Sequence, residues 1–199
     1  MYRHLFCWIA VAATALLLVP AAMALGVHVR VEGKTRNIFG STEPTLTVKA
    51  NPLDALDSAS LAGEFYYHVT TTSFGPYIDQ IGRYVAGATT GWVFKVNGVS
   101  PPVGADAVAL KDGDRVLWYW ATFSSTGGPP TLVLQSTKKR NCYRVLAQND
   151  QGKTRPARGA RVHAGSRSVL ARTGTACLSA HTGLVTATLK GAVRSNALP

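Results

Sequence analysis

Apolar and polar side chains alternate through Val27-His28-Val29-Arg30-Val31, the period of a strand with one buried face. Asn37-Ile38-Phe39-Gly40 and Thr45-Leu46-Thr47-Val48 predict two further short strands, joined by a turn at Ser41–Pro44. Asn51-Pro52 then introduces Leu53, Ala55, Leu56, Ala59 and Leu61, a helical spacing that Gly63 ends. Strand patterns follow at Phe65–Val69, Tyr77–Ile81 and Trp92–Val96, the last leading into the turn dipeptide Asn97-Gly98. Arg115–Phe123 is the longest strand pattern, launched by the turn Lys111-Asp112-Gly113-Asp114.

Thr126-Gly127-Gly128-Pro129-Pro130 has the composition of a linker. Beyond it the pattern predicts only short strands, at Thr131–Gln135, Cys142–Gln148, Ala160–Ala164, Ser168–Ala171, Ala176–Ser179 and Leu184–Leu189. Their regular spacing predicts a small antiparallel β-sandwich. The expected fold class is therefore mainly β. An α+β domain with one helix is expected over residues 25–125, a linker over 126–130 and the sandwich over 131–199.

Charge divides the chain at the same place. Residues 25–128 hold 8 Lys+Arg against 9 Asp+Glu, whereas residues 129–199 hold 12 Lys+Arg against one acid, Asp150. A basic second half suits either a solvated surface or contact with anionic envelope polymers. A nucleic-acid partner is not expected.

The first 24 residues follow the order of a secretory signal: Arg3, an apolar run from Leu5 to Val19, Pro20, and the small-x-small exit Ala22-Met23-Ala24. Cleavage is expected after Ala24, leaving a secreted or envelope-associated protein with no transmembrane anchor after signal removal. Cys7 lies inside the apolar run. The two later cysteines, Cys142 and Cys177, are expected to pair, closing a loop of about 36 residues and contributing roughly 3–4 kcal/mol in the chain-entropy account.

No catalytic constellation stands out, and the protein is not expected to be an enzyme. His28, His68, His163 and His181 sit in no metal-binding spacing, and no Gly-x-Ser-x-Gly elbow or phosphate-binding glycine loop is present. Asp106, Asp112 and Asp114 offer hard oxygens for calcium, but an Asp-Gly turn uses such acids to bond its own backbone. No metal and no resident cofactor are expected. The aromatics are more informative. Trp92 and Phe94 share one face of their strand, Trp118 and Trp120 share one face of theirs, and one of these sets is expected in the core. The other would then offer a platform for a flat, partly apolar ligand.

The blocks Gly91-Trp92-Val93-Phe94-Lys95-Val96-Asn97-Gly98, Pro102-Val103-Gly104-Ala105 and Leu110-Lys111-Asp112-Gly113-Asp114-Arg115-Val116-Leu117-Trp118-Tyr119 resemble the transcobalamin-like C-terminal domain, an extracellular family. The element Gly75-Pro76-Tyr77-Ile78 to Gly82 is similar to the family's preceding strand, so the resemblance covers about residues 27–124. It implies a β-grasp-like fold and, by analogy with the cobalamin carriers, a small β-domain covering one face of a corrinoid. In those carriers a helical barrel covers the other face, and this sequence holds no such barrel. The resemblance implies Gly75, Tyr77 and Trp92 as ligand-side residues and cobalamin as a candidate ligand. The second half, with Pro156–Val162 and Gly183–Thr188, resembles Ig-like or carboxypeptidase-regulatory-like sandwiches, and Ala192–Leu198 resembles their last strand. The expected function is that of a secreted, non-enzymatic binding or interaction protein. Corrinoid binding and an adhesive envelope role are the alternatives.

Overall fold

The computed structural model describes residues 24–73, 75–125 and 127–199. The expected signal peptide, apart from Ala24, lies outside the described residues. The protein is mainly β, with one α-helix among those residues.

The alternation at Val27–Val31 becomes β1 (Leu25–Glu32). It pairs antiparallel with β2 (Asn37–Phe39) and β3 (Thr45–Val48), and parallel with β8 (Arg115–Thr122). That last strand pairs antiparallel with β7 (Thr90–Val96), which closes the mixed sheet on one side. Helix α1 (Pro52–Gly63) starts with a capping box: the Asn51 side chain accepts from the Leu53 and Asp54 amides, and Asp54 accepts from the Asn51 amide. Such a cap stabilises a helix by about 1 kcal/mol. Ala55, Leu56 and Ala59 pack on Val27, Val29, Val31 and Trp118, all buried. Each fully buried side chain of Val or Leu size contributes about 1.5–3 kcal/mol. Leu61, which fits the helical spacing, points instead to solvent at 75 % exposure. One helix lying on a mixed sheet is the β-grasp-like arrangement.

A hairpin sheet of β4 (Tyr67–Thr72), β5 (Gly75–Ile81) and β6 (Tyr84–Val85) stands beside β7. The strand expected from Phe65 starts two residues later. Glu64 closes the helix in a left-handed conformation, and Phe65 is held to that end by its amide on the Ser60 carbonyl and by the Ser60 hydroxyl on its own carbonyl.

The second half is built from two antiparallel sheets. One holds β9 (Thr131–Ser136), β10 (Cys142–Gln148), β11 (Thr154–Pro156) and β14 (Thr175–Cys177); the other holds β12 (Ala160–Ala164), β13 (Arg167–Ala171) and β15 (Val185–Thr188). Leu132, Leu134 and Val145 from the first sheet and Val162, Val185 and Ala187 from the second share one buried cluster, which makes the pair a sandwich. Cys142 and Cys177 stand opposite one another on β10 and β14 and form a disulfide.

Ala192–Leu198 is not the regular closing strand that the resemblance suggested. It makes single bridges only, Val193 to Thr131 and Leu198 to Val185. Its residues are spent on contacts in several directions. Asn196 brackets Leu134, accepting from its amide and donating to its carbonyl, while the Ala197 amide reaches the Ser41 carbonyl at 2.6 Å. Val193 packs beside Tyr119 and Ala121.

These contacts join the two halves on the face of the mixed sheet turned away from α1. Lys95 is fully buried there, donating to Thr131 Oγ1 at 3.2 Å, the Gln148 carbonyl at 3.3 Å and the Asn149 carbonyl at 2.9 Å, with Asp150 at 3.6 Å. Glu32, also buried, receives both Nε and Nη2 of Arg194. Arg30 lies between Glu32 and Glu43; burial lowers its pKa from the usual arginine range, and the two glutamates oppose that shift.

Candidate functional site

The register of β7 on β8 decides the fate of the aromatics. Trp92 stands opposite Trp120 and Phe94 opposite Trp118. Directly opposed residues share a face, so all four rings lie on the α1 side, where a division into one core set and one exposed set was expected. The Asn97 amide bonds the Arg115 carbonyl, which makes the odd-numbered residues of β7 the hydrogen-bonded positions. The aromatic pairs therefore occupy the closer non-hydrogen-bonded positions, with ring centroids 5.6 Å apart for Trp92–Trp120 and 5.1 Å for Phe94–Trp118.

The same parity turns the backbone of the even-numbered residues of β7 away from β8, toward the open side of the sheet. Thr90 exchanges bonds with Gly87, and Val96 with Val99. The Trp92 amide meets the Tyr77 hydroxyl. The N–H and C=O of Phe94 and the C=O of Trp92 have no partner among the described residues. They face a cleft of about 330 Å³ bounded by Pro76–Ile78 of β5, the Ser100–Ala105 loop and Phe123. Half-exposed Tyr77 and Phe123 form the apolar lip, at 39 % and 42 % exposure.

Close approach of β5 to β7 depends on a glycine. A Cβ at Gly91 would stand 2.5 Å from the Tyr77 hydroxyl oxygen, so a bare Cα is what lets that phenol reach the strand. Burial, with Asp79 nearby, raises the Tyr77 pKa above the usual tyrosine value, opposed by the Trp92 amide. At the cleft's base Tyr119 is buried against Ser100 and Asp150, with the Lys95 ammonium 5.8 Å from its ring centroid. Burial first, and then Asp150, raise its pKa. Burial also lowers that of Lys95, opposed by Asp150.

Of the residues implied as ligand-side, Tyr77 and Trp92 come together on the cleft. Trp92 is only 2 % exposed, and its Nε1 donates to the Tyr84 carbonyl at 3.0 Å, so it forms the cleft's inner wall. Gly75 stands at the start of β5 in a left-handed conformation, φ 101°, with its side-chain direction toward Asp106 rather than the cleft. Asp112 and Asp114 brace turns: Asp112 accepts from the Gly26 amide, and Asp114 from the Lys111 amide and the Asn97 side chain.

The sequence reading missed the open edge at Phe94, because strand parity is fixed only by the partner strand. It also passed over Phe123 and the Lys95–Asp150 pair; a lysine amid Val93, Phe94 and Val96 was the one visible signal. Residues 53–122 match a family described as a domain of unknown function (DUF4430). The DUF4430 match runs from α1 to the end of β8 and takes in both sides of the cleft, including the Gly91–Tyr119 block. No curated protein matches the chain significantly.

Proposed function

We propose that this chain is an exported, non-enzymatic binding protein whose β7-edge cleft takes a flat, partly apolar small molecule carrying amide-like edge groups. The carrying observation is the Trp92 carbonyl and the Phe94 amide and carbonyl, without partners among the described residues, beside an aromatic wall. Apolar surface supplies affinity, and a few fixed donors and acceptors supply orientation. The export reading is supported by the Cys142–Cys177 disulfide, a bond that persists in oxidising compartments. No helix among the described residues is long and apolar enough to cross a membrane. A corrinoid fits this chemistry, being a flat ring with amide side chains, and a cleft of about 330 Å³ would grip one edge of such a macrocycle. The test is calorimetric titration with cobinamide and cobalamin. Binding that Tyr77→Ala and Phe123→Ala both weaken, with unfolding midpoints preserved, supports the reading. A flat trace with both ligands removes the corrinoid, and turnover of ester, peptide or glycan substrates by the purified protein removes the non-enzymatic reading.

A second reading, adhesion to anionic envelope polymers, is favoured by the basic half. Of the twelve cations in residues 129–199, only Arg194 makes an ion pair among the described residues. Retention on isolated cell walls that falls with salt supports it; salt-independent retention counts against it.

A further inference from the structure

The β7-edge cleft has one charged neighbour, and the second half supplies it. Asp150 sits in the turn between β10 and β11, beyond the end of the DUF4430 match at residue 122. It nevertheless borders the cleft beside Ser100 and Tyr119, and no other Lys, Arg, Asp, Glu or His does so among the described residues. Its side chain is 40 % exposed, so a ligand in the cleft can reach it.

The carboxylate is fixed before any ligand arrives. The Asn149 side chain accepts from the Gln151 and Lys153 amides at 3.1 and 2.9 Å, which sets the turn. The Ser100 amide donates to the Asp150 carbonyl at 2.8 Å, and Val99 bridges to Gln151, which pins the turn to the loop at the cleft's rim.

Its capacity to accept hydrogen bonds is only partly used. Asp150 Oδ1 accepts from the Ser100 hydroxyl at 3.2 Å and faces the Lys95 ammonium at 3.6 Å, and the Tyr119 hydroxyl meets the same carboxylate. A carboxylate has about four lone-pair sites, so acceptor capacity is left on its exposed side. Lys95 offers a ligand nothing in exchange. It is fully buried, and its ammonium donates to Thr131 and to the Gln148 and Asn149 carbonyls.

The rest of the cleft leans the same way. Its open strand edge presents two carbonyls, of Trp92 and Phe94, against the single Phe94 amide. The aromatic lip of Tyr77 and Phe123 favours a cation over an anion at its ring faces. An anionic end placed beside Asp150 would meet a like charge with no free cation to answer it.

We infer that Asp150 sets the specificity of this cleft. The ligand turns an N–H-donating end, an ammonium or a primary amide, toward Asp150 and a flat apolar body toward the Trp92–Phe94 edge; a carboxylate in that position is rejected. The inference rests on the binding role proposed for the cleft and adds that the second half chooses the ligand.

The test compares three probes that share an indole body: tryptamine, indole-3-acetamide and indole-3-acetate. Each is titrated to about 10 mM, the range open to ligands of that size, while the Phe94 and Ser100 amide signals are followed in proton–nitrogen NMR spectra of the protein. At least one N–H probe shifts both signals to saturation, and indole-3-acetate binds at least about tenfold more weakly. The tighter of the two N–H probes tells an ammonium ligand from an amide one. Asp150→Asn keeps the side chain's shape and the Lys95 hydrogen bonds but removes the charge. It weakens the tighter N–H probe about tenfold and narrows the gap to indole-3-acetate; where that probe is tryptamine, the salt dependence of its affinity is also lost. Indole-3-acetate binding as tightly as the N–H probes, or affinities unchanged in Asp150→Asn, overturns the inference and leaves the cleft a binding site. Silence with all three probes also overturns it, and the cobinamide titration then decides whether the binding role falls too. If Asp150→Asn does not fold, the ranking of the probes on the unaltered protein decides alone.

Discussion

Replacing Lys95 with methionine tests the junction between the two halves. The side chain is fully buried, and its ammonium answers Thr131, two backbone carbonyls from the Gln148–Asn149 turn and the Asp150 carboxylate. Methionine fills nearly the same space but leaves those acceptors without a donor. An acceptor stranded in a buried site costs about 1–3 kcal/mol, and removing one partner of a buried ion pair about 3–5 kcal/mol. Asp150 is partly open to water, and water reaching it recovers part of that loss, so the expected destabilisation is about 3–5 kcal/mol for the set rather than the sum. At about 2–4 °C per kcal/mol for a chain of this size, the thermal midpoint falls by about 10 °C. Denaturant unfolding of Lys95→Met beside the exposed control Lys49→Met measures this, the control staying within about 0.5 kcal/mol. A loss below about 1 kcal/mol for Lys95→Met would refute the view that its hydrogen bonds hold the halves together.

Three other expectations follow from the same contacts. Cys142→Ser with Cys177→Ser, or reduction of the bond, lowers stability by about 3–4 kcal/mol, read as a fall in the denaturant midpoint; an unchanged midpoint contradicts a constraint on the unfolded chain. Gly91→Ala pushes the Tyr77 hydroxyl off β7 without unfolding the protein, because the atom met is the tip of a side chain. The Tyr77 pKa, now raised mainly by burial, then moves down toward the ordinary tyrosine value in a carbon-detected NMR titration, and a stationary pKa counts against the close approach. His163 donates to or accepts from Thr188 at 2.8 Å, and burial, with Arg161 second, lowers its pKa. Between that lowered value and about 6.5 the unfolded chain binds more protons than the folded one. Stability therefore falls on acidification through this window, and His163→Gln removes that part of the slope.

Local pattern was enough where one partner sufficed. The alternation of Val27, Val29 and Val31 located β1, and the Asn51–Pro52 start with its apolar spacing located α1, because each depends on burying a single face. The Cys142–Cys177 pair needed only the cysteine count and an oxidising setting. Features set by two partners were not legible. Whether Trp92 and Trp118 fall on the same face depends on the β7–β8 register, which no single strand encodes. The open edge at Phe94 depends on the same register, and on where Gly87, Val99 and Tyr77 cap the rest of β7. Nothing local to their strands marks Lys95 and Glu32 as buried; the second half covers that face, and Arg194, 162 positions from Glu32, closes over it. The expected last strand at Ala192–Leu198 had the right apolar content, yet its polar members Arg194 and Asn196 are spent on cross-links between elements.

The open edge of β7 is what would hold a ligand, and amide hydrogen exchange at Phe94 reads it. In the free protein the Phe94 amide should exchange much faster than those of Val93 and Lys95, which are held in the β8 ladder. On saturation with cobinamide it should become protected while its neighbours change little. A Phe94 amide already as protected as Val93 and Lys95 without ligand would mean that the edge is closed, and the cleft would then have no free backbone with which to hold a ligand.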